Sequence, residues 1–454
     1  MFRDREYYTT LLRFGLPIAL QNLVSTALNA VGVLLIGQLG ETSVAAVGLG
    51  NQIFFLLSLM LFGITSGSAI FTAQFWGNQE LAGIRKVVGF CMAMGLTAGA
   101  FFTVIALGFP SWALGLYTND PAVIVLGSQY LRIVGVSYLA TAVTFTFANN
   151  LRSTGNVRIP MLVSMVALGS GTVLNYILIF GKFGMPVMGV AGVALGTCIA
   201  RLGEAAAMVA VTYGRKLPVA FRLSDMRNLS KPFVKKFFVT VLPVWANETV
   251  WSLGITIYNV IYAHIGTEAI AAVNIASTIE SLAFVLSIGL GNATSIMIGN
   301  KIGAGETERA RQYGWRGLTT GWILAVVLGG SLIALSPTIV SWYKVSGIAA
   351  QYARNILLFM GCIMWAKVSN HMLIVGILRA GGDTRYSLFL DAGSVWLAGI
   401  PMGLLGAFVL HLPVYWVVVM IGLADELVKL TGGMLRFISG KWVNNLAGSM
   451  DLTT

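Results

Sequence analysis

Residues 242–280 read LPVWANETVWSLGITIYNVIYAHIGTEAIAAVNIASTIE, two apolar runs joined at Gly266, each with one glutamate well inside it. Glu248 and Glu280 each lie about ten residues from the start of their run, so at about 1.5 Å of rise per residue both sit roughly 15 Å along a helix. A run that holds an acid that deep is long enough to cross a bilayer, whose hydrocarbon core is about 30 Å thick. An ionisable side chain at such a depth costs about 2.5–3.5 kcal/mol or more unless it meets a partner or a watery cavity. Two acids at matched depth on consecutive helices therefore mark a functional interior.

The whole chain agrees with that reading. Its 454 residues have a mean hydropathy of +0.81 and only 10% are charged, too little polar surface to cover a water-soluble globule of this length. Twelve apolar windows are long enough to span a membrane: 11–37, 45–72, 87–109, 122–149, 160–180, 188–213, 237–263, 270–298, 315–341, 351–377, 386–409 and 413–437. The first, containing Pro17, has no small-residue cleavage site after a short apolar core, so it is expected to be a retained helix. Cys91, Cys198 and Cys362 all fall inside apolar runs and lack the spacing of a metal site or a disulfide framework.

A net charge of +12 would suggest nucleic acid in a soluble protein, but here its placement explains it. Arg3 and Arg5, Arg85 and Lys86, Arg152 and Arg158, Lys301 to Arg316, Arg379 and Arg385, and Arg436 and Lys441 all fall on one side of the predicted spans. So does the basic connection from Tyr213 to Lys236, while the opposite loops carry only Lys182, Lys344 and Arg354. Basic loops stay in the cytoplasm, so both termini are expected there, facing anionic lipid. No nucleic-acid partner is expected.

The two halves repeat. A shift of 226 residues carries Leu16-Pro17 onto Leu242-Pro243, Gly40 onto Gly266, Gly63 onto Gly289, Gly77 onto Gly303 and Glu80 onto Glu306. A shift of 227 carries Leu151-Arg152-Ser153-Thr154-Gly155-Asn156 onto Leu378-Arg379-Ala380-Gly381-Gly382-Asp383. Six spans per half put the copies in the same orientation, as parallel repeats about an axis along the membrane normal, with a substrate path near the midplane. The expected fold is an all-α polytopic membrane protein of twelve transmembrane helices in two six-helix lobes, 1–225 and 226–454. That is transporter architecture.

Leu16-Pro17, Asn29, Gly37-Gln38-Leu39-Gly40, Ala45-Ala46-Val47-Gly48, Gly77-Asn78, Leu151 to Asn156 and Ile179-Phe180-Gly181-Lys182-Phe183-Gly184-Met185-Pro186, in that order, resemble the multidrug and toxic compound extrusion (MATE) family. That family belongs to the wider multidrug/oligosaccharidyl-lipid/polysaccharide exporter superfamily. The resemblance implies a plasma-membrane antiporter, in a bacterium in the cytoplasmic membrane, expelling organic and often cationic molecules in exchange for protons or sodium ions by alternating access of its lobes. It implies no other cofactor, a small organic substrate, lipid as the surrounding partner, and a monomer. One branch of the family carries an aspartate in the first helix and another in the fifth; here those positions are Gly32 and Asn175.

The acids lie instead in the second half, where Glu248 replaces Asn22, Glu280 replaces Phe54 and Asp391 replaces Ser164. Glu248, Glu280 and Asp391 are the ion-coupling candidates. Two close carboxylates resist double ionisation and suit proton loading, whereas as hard oxygen donors Glu248 and Glu280 would ligate sodium. Candidates to line the substrate cavity are Asn29, Asn175, Trp251, Lys367 and His371, with Tyr138, Trp245, Met364 and Trp365 as further aromatic or adaptable surfaces. Lys367 is expected either to bond Asp391 or to be a charge displaced by an arriving cation. Arg201 with Glu204, and Lys429 with Asp425 and Glu426, have the spacing of ion pairs within one helix.

Other function classes fit less well. The alternative within the superfamily is a flippase or exporter of lipid-linked saccharide or another amphipathic metabolite; an anionic pyrophosphate lipid would want a basic central cavity, whereas the intramembrane balance here is acidic in one lobe and weakly basic in the other, which favours a cationic or neutral cargo. An enzyme has little to stand on, since HExxH is absent, no GxSxG lies at a suitable depth, and His264, His371 and His411 are scattered.

Overall fold

The computed structural model describes residues 4–226, 229–343 and 345–448; Arg3, Arg227 and Lys344, counted above in the charge asymmetry, lie outside them. Twelve long helices carry the fold. They are α1 Arg5–Gly37, α2 Glu41–Gly77, α3 Leu81–Gly108, α4 Pro121–Ser153, α5 Arg158–Phe180, α6 Val190–Gly214, α7 Lys231–Ile265, α8 Thr267–Gly303, α9 Thr307–Ser341, α10 Gly347–Leu378, α11 Thr384–Val409 and α12 Val414–Ser439. Ten of these are apolar enough on length and composition to cross a membrane. The other two are α7, which holds Asn247 and Glu248, and α12, which holds Asp425, Glu426 and Lys429. No strand occurs among the described residues. The protein is an all-α, multi-pass membrane protein.

The sequence repeat is a repeat of helix ends. Starts at Arg5, Glu41, Leu81, Pro121 and Arg158 map at the 226-residue shift onto Lys231, Thr267, Thr307, Gly347 and Thr384. The same local chemistry sets them. Before α2 and α8 the chain turns at Gly40 (φ 96°) and Gly266 (φ 152°), conformations open to glycine for want of a Cβ. Before α4 the Asp120 side chain accepts from the Ala122 N–H (2.9 Å), and before α10 the matching Ser346 accepts from the Ala349 N–H (3.2 Å). After α4 and α10 the ends close alike, with Asn156 N–H donating to the Leu151 carbonyl and Asp383 N–H to the Leu378 carbonyl, both at 3.0 Å.

The backbone contacts divide the chain into two compact units. The N-unit is Leu20–Phe237; the C-unit gathers the residues up to Ala19 with those from Phe238 onward. The expected lobe boundary at 225/226 therefore differs from the contact boundary, because the first turns of α1 and of α7 each pack with the other half of the sequence. In the C-unit, Asp4 ion-pairs with Arg316 of α9, and Tyr7, fully buried, meets the Tyr313 ring edge-on at 5.0 Å. Helices within each unit approach closely through small residues: a Cβ added at Gly192 would stand 2.7 Å from the Leu178 carbonyl, and one at Gly361 2.8 Å from that of Gly329.

The units differ in one respect that bears on function. The C-unit carries three π-helical segments, Met372–Leu378 at the end of α10 and Val395–Gly399 and Leu405–Val409 in α11, where the matching helices α4 and α5 have none. Such wide turns rotate the side chains beyond them and recur at functional sites.

Candidate functional site

Five helices of the C-unit bring their charged residues into one column. At one end the Lys367 ammonium of α10 lies 2.5 Å from Glu280 of α8. One turn along α10, Asn370 donates to the Glu426 carboxylate of α12 at 2.7 Å. In α12 Lys429 bridges two acids, Asp425 at 3.1 Å and Asp391 of α11 at 2.9 Å. Asp391 accepts a further hydrogen bond, 2.9 Å, from Asn247 of α7. Next to Asn247, Glu248 stands 2.7 Å from Arg379, just past the end of α10. That contact is ionic in character, since Nη1 and Nε of Arg379 lack a well-aimed acceptor. From Lys367 to Arg379 the column runs about 18 Å at 1.5 Å per residue.

Several sequence expectations change here. Glu248 and Glu280 are not a pair of facing carboxylates: each meets its own cation, Arg379 and Lys367. Lys367 bonds Glu280 rather than Asp391, whose place is taken by Lys429. The Lys429–Asp425 pair forms as its spacing predicts and extends to Asp391. Among the described residues no three His, Cys, Asp or Glu side chains gather as a metal site, and Glu248 and Glu280, expected as ligands if sodium is the coupling ion, each face a basic side chain.

His371 sets its ring edge-on to Phe284 at 5.4 Å and encloses Nε2 without a hydrogen-bond partner among the described residues. A Cβ on Gly291 of α8 would come within 2.6 Å of that nitrogen, so the glycine makes room for the ring. Trp251 is half-exposed, whereas Tyr138 and Met364 are fully buried packing residues.

The N-unit has the same scaffold with different chemistry. Arg152, the repeat partner of Arg379, donates to the neutral amide of Gln21 at 2.8 Å. Ser164, the partner of Asp391, donates to Glu204 at 2.6 Å. Among the described residues Arg201 and Glu204 do not close into the expected ion pair, although Glu204 acts electrostatically on Arg201; Arg201 lies over the Phe54 ring, 3.6 Å from its centre. Asn175 turns toward α6, donating to Thr197 at 3.4 Å, and Asn29 is exposed. A groove of about 460 Å³ between α5 and α6 is lined by Leu162, Val166, Ile199 and Glu204 among others.

Sequence reading missed Arg379, Asn247 and Asn370. Arg379 sits in what looked like a basic cytoplasmic turn, yet it is 3% exposed, because its long side chain reaches back into the unit. Its repeat partner Arg152, also reaching inward, is the signal that would have found it.

Comparison with known proteins places this scaffold. The MatE family matches residues 17–177 and 243–405, one block in each half. The uncharacterized transporter YisQ of Bacillus subtilis is 25% identical over 438 residues, covering 95% of this chain and 90% of that one. The probable multidrug resistance protein YoeA of the same organism is 28% identical, covering 87% and 85%. A crystal structure of MATE in the bent conformation superposes with a TM-score of 0.87 at 18% identity, covering 96% of each chain, which shows the shared fold. With its two matched blocks, its twelve-helix repeat and its membrane-crossing helices, this chain is a transporter belonging to the MatE family.

Proposed function

We propose that the protein is a secondary antiporter that exports organic, drug-like cations in exchange for protons or sodium ions by alternating access. One observation carries this: the C-unit column holds five carboxylates, Glu248, Glu280, Asp391, Asp425 and Glu426, against three fixed cations, Lys367, Arg379 and Lys429. Such an interior attracts positive charge, whether a coupling ion or a cationic cargo, and would repel the pyrophosphate of a lipid-linked saccharide. Relatives named multidrug resistance proteins support a drug-like cargo.

In this reading Glu248, Glu280 and Asp391 couple the ion, and Asn29, Asn175, Trp251, Lys367 and His371 contribute to the cargo path. The protein works in a bacterial cytoplasmic membrane with both termini in the cytoplasm, as a monomer among lipids. Purified protein in liposomes, loaded with a fluorescent cation and given either a proton or a sodium gradient, tests the proposal. Transport should follow one gradient and collapse with the matching ionophore. Glu280→Gln and Asp391→Asn should each abolish gradient-driven movement; full transport by both would remove the column from the mechanism.

A further inference from the structure

The ion pairs of the column are not equally closed. Lys429, Asp391 and Asp425 expose 7%, 13% and 10% of their side chains, whereas Lys367 and Glu280 expose 24% and 16%. Lys367–Glu280 is thus the more open end. It is also the end where the cation has a choice. The Glu426 carboxylate acts electrostatically on Lys367 as well, and its hydrogen bond comes from a neutral donor, Asn370, one turn along the same helix. A lysine carries three donors on a flexible four-carbon stem, so its ammonium can pass from one carboxylate to another without moving the helix.

Resting on the cation-export reading, we propose that Lys367 is a tethered cation that holds the cargo's place on Glu280, and that an organic cation binds by displacing its ammonium toward Glu426. Displacement adds one positive charge to a column in which carboxylates outnumber cations, and leaves neither carboxylate bare. It also makes Lys367 a specificity-determining residue. A small, strongly hydrated ion displaces the ammonium only by giving up its own hydration, and it has no apolar surface to bury in exchange. A cation with a wide apolar body adds burial against apolar side chains on the same helix faces, such as Phe284, four residues from Glu280 and set against His371, itself four residues from Lys367, and so outcompetes it.

The test is equilibrium binding of radiolabelled tetraphenylphosphonium to purified protein in detergent. Lys367→Met keeps the length of the side chain and removes the competitor, so binding should tighten about tenfold. Lys367→Arg, which keeps a tethered cation, should bind close to wild type. Glu426→Gln removes the second acceptor and should weaken binding about tenfold in the wild-type background but not in Lys367→Met. That interaction separates displacement from simple attraction, under which Glu426→Gln weakens binding equally in both backgrounds.

A folded Lys367→Met protein that binds no more tightly overturns the proposal. If that variant does not fold, Glu426→Gln decides alone, and unchanged affinity overturns it. Wild-type protein that neither binds nor transports the probe overturns the export reading together with this one, whereas normal transport with no effect of Lys367→Met removes only the role of Lys367.

Discussion

At the scale of single residues, the contact between Glu248 and Arg379 is the one whose removal speaks most directly about the interior. Arg379 is almost wholly enclosed, and deleting one member of a buried pair strands the other without compensation, which costs about 3–5 kcal/mol. Arg379→Met should therefore lower stability by about that amount in chemical denaturation in mild detergent. Glu248→Leu combined with Arg379→Met should recover most of the loss, because two apolar side chains leave no charge behind. A double variant as unstable as the sum of the singles would show that the two charges do not depend on each other. The acids themselves were legible in sequence, since a glutamate in an apolar run stands out by composition. Their partners were not, because the reach of Lys367 across to Glu280 and of Arg379 back to Glu248 depends on how α7, α8 and α10 pack, which no local pattern records.

At the scale of elements, the repeat lets one half serve as the control for the other. The turn after α8 is closed by Gly305 at φ 78°, but the matching turn after α2 has Gln79 at φ 58°, with the same pattern of backbone hydrogen bonds around it. A side chain in the left-handed region costs about 1–2 kcal/mol, partly offset by the entropy a glycine would lose. Gln79→Gly should thus stabilise by about 0.5–1 kcal/mol and Gly305→Gln should destabilise by a similar amount, read as opposite shifts of the thermal midpoint. The start of α1 offers a second test. Asp4 is held below the usual carboxylate range, first by the Tyr7 backbone N–H donated to it at 3.1 Å and then by Arg316. Its bound pKa lies below its free one, so the docking it supports is present above the ordinary value near 3.8 and is lost as pH falls below that. The protection factors for hydrogen exchange over Tyr7 to Leu11, which remove the intrinsic pH dependence of exchange, should be high at pH 6 and fall below about pH 3.8, and in Arg316→Gln they should be several-fold lower already at neutral pH. The existence and order of all twelve helices were legible because apolar runs are local, and most C-terminal ends fall within two residues of the predicted windows; the starts run further out, by up to eight residues at Thr307, because the first turns of several helices are polar. The π-helical segments were not, since Met372–Leu378 and Val395–Gly399 read as ordinary apolar helix and widen only in their packed setting.

At the scale of the whole molecule, the distribution of basic residues makes a claim about orientation that labelling can settle. Helix ends at Gly40–Glu41, Asp120–Pro121 and Gly266–Thr267 fall at the side poor in lysine and arginine, and the connection containing Ser224 falls at the rich side. Thr42, Thr267 and Ser224 are exposed, and Thr118 is partly so, so a cysteine at each would be open to a reagent on its own side of the membrane. Cys362 is exposed in the native chain and must first be replaced, along with buried Cys91 and Cys198. In that background, an impermeant maleimide added to intact cells should label Thr42→Cys, Thr118→Cys and Thr267→Cys but leave Ser224→Cys unmodified until the membrane is opened. The three outer sites come from both repeats, so their common behaviour also tests that the two six-helix copies enter the membrane in the same sense, as an even number of spans in each requires. Labelling of Ser224→Cys in intact cells would reverse the orientation and place both termini outside.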